Sequence, residues 1–105
     1  MYTPMDIGTK GEHIVSHWLT EKGYRTHLIA KGPDVTGIEA QGHVGKLLIQ
    51  VRSAVLPDLP KSLSNYDEHR VKSQASELGY IPWEAKVQLD DDLRIIGKIK
   101  WRKLV

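Results

Sequence analysis

One apolar segment, residues 46–55, constrains the fold of this chain more than any other stretch. Read as a strand, it places only apolar side chains on one face: Leu47, Ile49 and Val51. The opposite face carries Leu48, Gln50 and Arg52. A run with so little polar alternation is typical of a central strand that is covered on both faces. Two shorter strands are predicted before it, at residues 24–30 and 35–40, separated by a break at 31–34 and followed by a turn at 41–45.

Two helices flank this three-stranded unit. The first is indicated by an apolar stripe at helical spacing and ends at Gly23; the stripe comprises Ile14, Val15, Trp18 and Leu19. The sequence leaves two possible starts for this helix. One is Thr3 before Pro4, and the other is the Thr9–Glu12 capping-box pattern. The second helix is predicted over residues 66–78, with Asn65 as its cap and Gly79 as its end. The proline-containing residues 56–65 before it form a loop.

The last third of the chain predicts a hairpin. Residues 81–88 and 95–102 alternate apolar and polar side chains, which indicates two strands with one buried and one solvated face. The resulting order is α-β-β-β-α-β-β, and it predicts an α/β layer fold. With 105 residues, the chain has the size of one domain, spanning 1–105.

Composition excludes several classes of protein. The chain has no cysteine, so disulfide frameworks, thiolate zinc sites and cysteine nucleophiles are excluded, and a reducing cytoplasm is the expected location. We predict no membrane span and no signal peptide. The net charge of +2, from 15 basic and 13 acidic residues, does not by itself indicate nucleic-acid binding. A local strip on the final strand either contacts phosphates or is a solvated strand face; it consists of Lys98, Lys100 and Arg102.

Four positions are candidates for chemistry. Asp34 opens the second strand, Gln50 and Arg52 share a face of the third, and Glu12 lies in the first helix. A carboxylate and an amide oxygen suit Mg²⁺, and a nearby cation can stabilise a phosphorane-like transition state. Each residue also has an ordinary structural interpretation. Glu12 would close a capping box, Pro33-Asp34 would be a turn, and Gln50 and Arg52 would lie at a strand end near solvent.

The motifs around these positions resemble the restriction-endonuclease-like PD-(D/E)xK nuclease superfamily, and in particular its small Holliday-junction-resolvase-like members. The residues concerned are Gly8-x-x-Gly11-Glu12, Leu19, Gly23-Tyr24, Gly32-Pro33-Asp34 and Gln50-Val51-Arg52. The resemblance implies a mixed central sheet of about five strands flanked by two helices. It also implies a Mg²⁺- or Mn²⁺-dependent endonuclease that acts on DNA phosphodiesters, including branched DNA, and that works as a homodimer.

The resemblance assigns a role to each candidate residue. Glu12 matches the helix glutamate that supports the metal, and Asp34 matches the metal-binding aspartate. Gln50 stands where the family usually has an acidic residue, and Arg52 stands where it has lysine. Arginine remains protonated and cannot act as a base. These two departures leave open an alternative, a catalytically inactive nuclease-fold module that binds nucleic acid or a protein partner.

Other candidates are weaker. His13 and His17 have the helical spacing of metal ligands, but no third ligand can be identified. The acidic run 90–92 is interpreted as a hairpin turn. The three tryptophans at 18, 83 and 101 are interpreted as core residues, with 83 and 101 on the buried face of the hairpin.

Overall fold

The chain folds into two helices and five strands within residues 2–31 and 35–105, which are the residues that the structure, a computed structural model, describes. In chain order the elements are α1 (Pro4–Glu21), β1 (Arg25–Lys31), β2 (Val35–Gly42), β3 (Gly45–Val55), α2 (Asn65–Leu78), β4 (Ile81–Leu89) and β5 (Lys100–Lys103). The predicted order α-β-β-β-α-β-β is confirmed. No helix in these residues is both long and apolar enough to cross a membrane.

The five strands form one mixed sheet with the spatial order β1-β2-β3-β4-β5. The β3–β4 pair is parallel, whereas the other three neighbouring pairs are antiparallel. The parallel pair follows from α2, which connects the end of β3 to the start of β4 as a crossover. The predicted central position of the apolar segment is confirmed, because β3 is the middle strand of the sheet.

The two helices cover opposite faces of the sheet. On one face Val15 and Leu19 of α1 pack against the apolar side of β3, formed by Leu47, Ile49 and Val51. On the other face Val71 and Ala75 of α2 pack against Leu48 and Leu104. The prediction that the last two strands have one solvated face is therefore wrong for β4, because the loop before α2 and α2 itself cover that side. Glu84, predicted to face water, is fully buried.

The structure shows which of the two predicted N-terminal signals begins α1. Thr3 is its N-cap and exchanges hydrogen bonds with Asp6, so Glu12 lies in the middle of the helix and is no part of a capping box. The backbone hydrogen bond with Thr3 holds the pKa of the Asp6 carboxyl below its usual value. Ser64, one residue before the predicted Asn65, caps α2 by accepting from the Asp67 amide.

The final strand is shorter than predicted. It spans Lys100–Lys103, and Ile95 contributes only an isolated bridge to Leu89. Gly97 between them has a φ of +74°, a left-handed conformation that interrupts an extended strand. Lys98 is exposed and lies before the start of β5. The prediction that Lys98, Lys100 and Arg102 share one face of the final strand is therefore wrong for Lys98.

Candidate functional site

The central strand places Gln50 and Arg52 on the face covered by α2. Gln50 is opposite Gly37 of β2 on one side and opposite Glu84 of β4 on the other, so it lies in the middle of the sheet. It is only 5% exposed. Within the described chain, its side-chain amide makes no hydrogen bond to another residue. Its amide atoms are not among the fully buried atoms without a partner, so they face the adjoining cleft, where a ligand or a water molecule can bind them.

A small cleft opens beside Gln50, between β3 and α2. Its volume is about 30 Å³, enough for one water-sized group. The lining residues come from the strand, the preceding loop and the helix; they are Gln50, Arg52, Leu63, Asp67, Arg70, Val71 and Gln74. The lining combines polar side chains with the apolar Leu63 and Val71.

Arg52 is held in this cleft by the loop before α2. Its Nε atom donates to the carbonyl oxygen of Lys61 at 3.2 Å. Among residues 2–31 and 35–105, no acidic side chain forms an ion pair with Arg52. The hydrogen bond fixes one side of the guanidinium and leaves its terminal nitrogens available to an anion.

Glu12 approaches the sheet from the other face. Its neighbour Gly11 packs so closely on β3 that a Cβ there would overlap the Ser53 side chain and lie 3.4 Å from a Val51 methyl group. Val51 and Ser53 alternate with Gln50 and Arg52 along β3, so α1 and the cleft lie on opposite sides of the strand. Glu12 is half-buried at this contact. Gly11 thus explains how the helix brings Glu12 close to the central strand.

Asp34 lies outside the described residues, as do the neighbouring Gly32 and Pro33. The sequence predicts that adjacent strands bring Asp34 near Gln50 and Arg52, and this stays a prediction. Among the described residues there is no group of three histidine, aspartate or glutamate side chains that could hold a metal ion. This applies to His13 and His17 as well; His17 instead pairs with Glu21 at 2.7 Å. The amide oxygen of Gln50 is of the hard type that Mg²⁺ accepts, and it has no partner among the described residues, so it fits as one ligand that requires a carboxylate from elsewhere.

Glu84 is the buried charge next to this site. Its carboxylate accepts from the Leu63 amide at 2.7 Å and from two nitrogens of Arg102 at 3.1 and 3.2 Å. Burial raises the pKa of Glu84, but these hydrogen bonds and the charges of Arg102 and Lys86 outweigh it, so its pKa lies below the usual value. Through the Leu63 amide, Glu84 holds the loop before α2 in place, and the Lys61 carbonyl of that loop accepts the hydrogen bond from Arg52.

Arg102 belongs to the same hydrogen-bond network as Glu84. Besides Glu84, it pairs with Glu68 of α2 at 2.8 Å, and these carboxylates raise its pKa. The hydrogen bond from Arg102 likewise holds the pKa of Glu68 below its usual value. Of the predicted basic strip, only Lys98 and Lys100 are exposed without an ion pair in the described chain.

No family model matches the chain, and no curated protein matches it. Among solved structures, it is similar to Hjc of Archaeoglobus fulgidus, a Holliday junction resolvase from an archaeal hyperthermophile. The TM-score is 0.67 at 16% sequence identity, and the match covers 92% of this chain and 72% of that one. The chain has the restriction-endonuclease-like nuclease fold. The sequence-based identification of this fold is confirmed.

The sequence does not identify Arg70 as a site residue, because an exposed arginine on a polar helix carries no signal of its own. For Glu84 the sequence predicts a cross-strand pair with a basic residue of the final strand, and the pair with Arg102 confirms it. The burial of Glu84 has no signal in the sequence, because the same strand, Ile81–Leu89, also carries Lys86 and Gln88.

Proposed function

We propose that the protein is an endonuclease that hydrolyses DNA phosphodiesters, with branched DNA as its substrate class. One observation carries the proposal: in a nuclease fold, Gln50, whose amide has no hydrogen-bond partner among the described residues, lies beside Arg52, which forms no ion pair with them, on one face of the central strand. The similarity to a resolvase structure supports the choice of DNA as partner.

Each candidate residue has a proposed role. Asp34 and Gln50 supply oxygen ligands to Mg²⁺ or Mn²⁺, which, when bound, would polarise the phosphate and the attacking water. Arg52 remains protonated at neutral pH, so it stabilises negative charge on the phosphate and does not act as a base. Glu12 lies on α1, on the other side of β3, and has the role that the resemblance implies, support of the metal site from the helix. Lys98 and Lys100, with Arg102 restrained by its carboxylates, contact the DNA backbone away from the site.

A cleavage assay tests this function. The purified protein is incubated with Mg²⁺ and with four-way, nicked and single-stranded DNA, beside the Asp34→Ala variant. We expect cleavage by the parent protein and none by the variant, whose melting temperature should be nearly unchanged. Equal cleavage by the two proteins would mean that the activity comes from another site or from a contaminant.

A second function is favoured by the two departures at the site. Gln50 brings no negative charge to a metal, and the Lys61 carbonyl already holds the Nε of Arg52. These features fit a catalytically inactive module that uses the nuclease fold to bind nucleic acid or a protein partner. Binding of DNA by the parent protein, with no cleavage in Mg²⁺ or Mn²⁺, would favour the module over the enzyme.

We further propose that the enzyme acts as a homodimer in the cytoplasm. Two sites are needed to cut two strands of a branched substrate, and a symmetric dimer supplies them. The absence of cysteine is compatible with a reducing compartment. Light scattering during gel filtration measures the oligomeric state directly, and a monomer at working concentration would contradict the dimer.

A further inference from the structure

The cleft between β3 and α2 is lined by two arginines that form no ion pair with a carboxylate of residues 2–31 and 35–105. Arg52 contributes from the strand and Arg70 from the helix. In the described part of the chain, Arg70 contacts the Tyr66 ring, 5.8 Å from its centroid, and forms no ion pair. Asp67 also lines the cleft but pairs with neither arginine. Among the lining residues that the structure describes, two positive charges and one negative charge give a net charge of 2 − 1 = +1.

Another polar group of the cleft is the amide of Gln50, whose side chain is 5% exposed and makes no hydrogen bond within the described residues. Arg52 and Arg70 offer only hydrogen-bond donors, whereas Gln50, Gln74 and Asp67 bring side-chain oxygens that accept. A volume of about 30 Å³ admits one oxygen-sized group. A non-bridging oxygen of a phosphodiester has that size and can enter the cleft while the remainder of the group stays outside.

We propose that Arg70 and Arg52 together hold one phosphate of the DNA backbone at the mouth of this cleft, without a metal ion. Guanidinium groups suit this ligand, because their planar nitrogens can donate two parallel hydrogen bonds to phosphate oxygens. The inference rests on the proposed function in so far as DNA is the ligand. It adds Arg70, on α2, as a positioning residue for a site otherwise formed by the sheet and α1.

The test measures DNA binding in EDTA, so that no metal-dependent step contributes. Anisotropy of labelled duplex DNA gives the affinity of the parent protein at several salt concentrations. Arg70→Ala should lower the slope of log affinity against log salt by about 0.9, the value for one phosphate contact. Arg94→Ala removes an equally exposed arginine from the connection between β4 and β5, away from the cleft, and should leave the slope unchanged. Circular dichroism confirms that each variant is folded.

A double-mutant cycle tests whether the two arginines share one phosphate. Arg52→Gln keeps a polar side chain beside the Lys61 carbonyl and should also lower the slope by about 0.9. The double variant should lose about 0.9 in total, because a single contact can be lost only once. A loss of about 1.8 in the double variant would overturn the shared phosphate. An Arg70→Ala slope equal to that of Arg94→Ala would overturn the role of Arg70.

These outcomes are separable from the proposed function. If Mg²⁺-dependent cleavage is absent but the cycle is non-additive in EDTA, the cleft inference holds and the endonuclease proposal fails. If cleavage is present but Arg70→Ala binds DNA as the parent protein does in EDTA, the endonuclease proposal holds and the cleft inference fails.

Discussion

Replacing Glu84 with glutamine should strongly destabilise the fold. The carboxylate is fully buried and accepts three hydrogen bonds, one from the Leu63 amide and two from Arg102. The amide of glutamine keeps one accepting oxygen but turns an NH₂ group toward these donors. A hydrogen bond to a charged group contributes about 1.5–3 kcal/mol. The two hydrogen bonds from Arg102 contribute less than this, because the Arg102 side chain is 46% exposed and water can solvate it once the bonds are lost.

The expected cost of Glu84→Gln is therefore about 2–3 kcal/mol of unfolding free energy, close to one charge-assisted hydrogen bond. In a domain of this size it corresponds to a fall in melting temperature of about 10–20 °C. Urea unfolding followed by tryptophan fluorescence measures it, with Trp83 adjacent to the replaced residue. The denaturant slope should stay the same, because the surface exposed on unfolding does not change.

Glu68→Gln is the matched control. Glu68 pairs with the same arginine at 2.8 Å but lies at the surface of α2, so its replacement should have a smaller effect. If the two variants lower the free energy of unfolding equally, burial of Glu84 does not determine its contribution. The reasoning about the buried network would then be refuted.

Four further outcomes are expected. Gly11→Ala should cost about 1–3 kcal/mol of stability in urea unfolding, because its Cβ would overlap β3. Gly8→Ala, with nothing within 4 Å, should stabilise α1 slightly. Since the pKa of Glu84 lies below its usual 4.5, unfolding free energy should fall as the pH drops below about 4.5 and the carboxylate is protonated, an effect that urea titrations from pH 7 to 3 would detect. Replacing Lys98 and Lys100 together with alanine should lower the salt slope of DNA binding by about two; an unchanged slope would mean that this surface is only solvated.

The order of the elements could be predicted because each carries a local signal. The stripe that includes Val15 and Leu19 has helical period, and the apolar residues 46–55 read as a central strand. The shortening of β5 could not be predicted in the same way. Residues 95–102 alternate as a strand does, but Gly97 adopts a positive φ that the alternation does not reveal.

The candidate site was only partly predictable for a different reason. The shared face of Gln50 and Arg52 follows from strand periodicity alone. Which helix covers that face is a tertiary property, and it decides that Glu84 is buried and that Arg70 lines the cleft. Glu12 could not be distinguished from a capping residue until the position of Thr3 at the helix start was known.

Calorimetric titration of the protein with Mn²⁺ tests the central claim most directly. We expect one binding event per chain, its loss in Asp34→Ala, and tighter binding in Gln50→Glu, which adds the missing negative charge to the ligand set. The three proteins should share the same fold by circular dichroism. Heats that are identical for the parent protein and Asp34→Ala would contradict a metal site at Asp34 and Gln50.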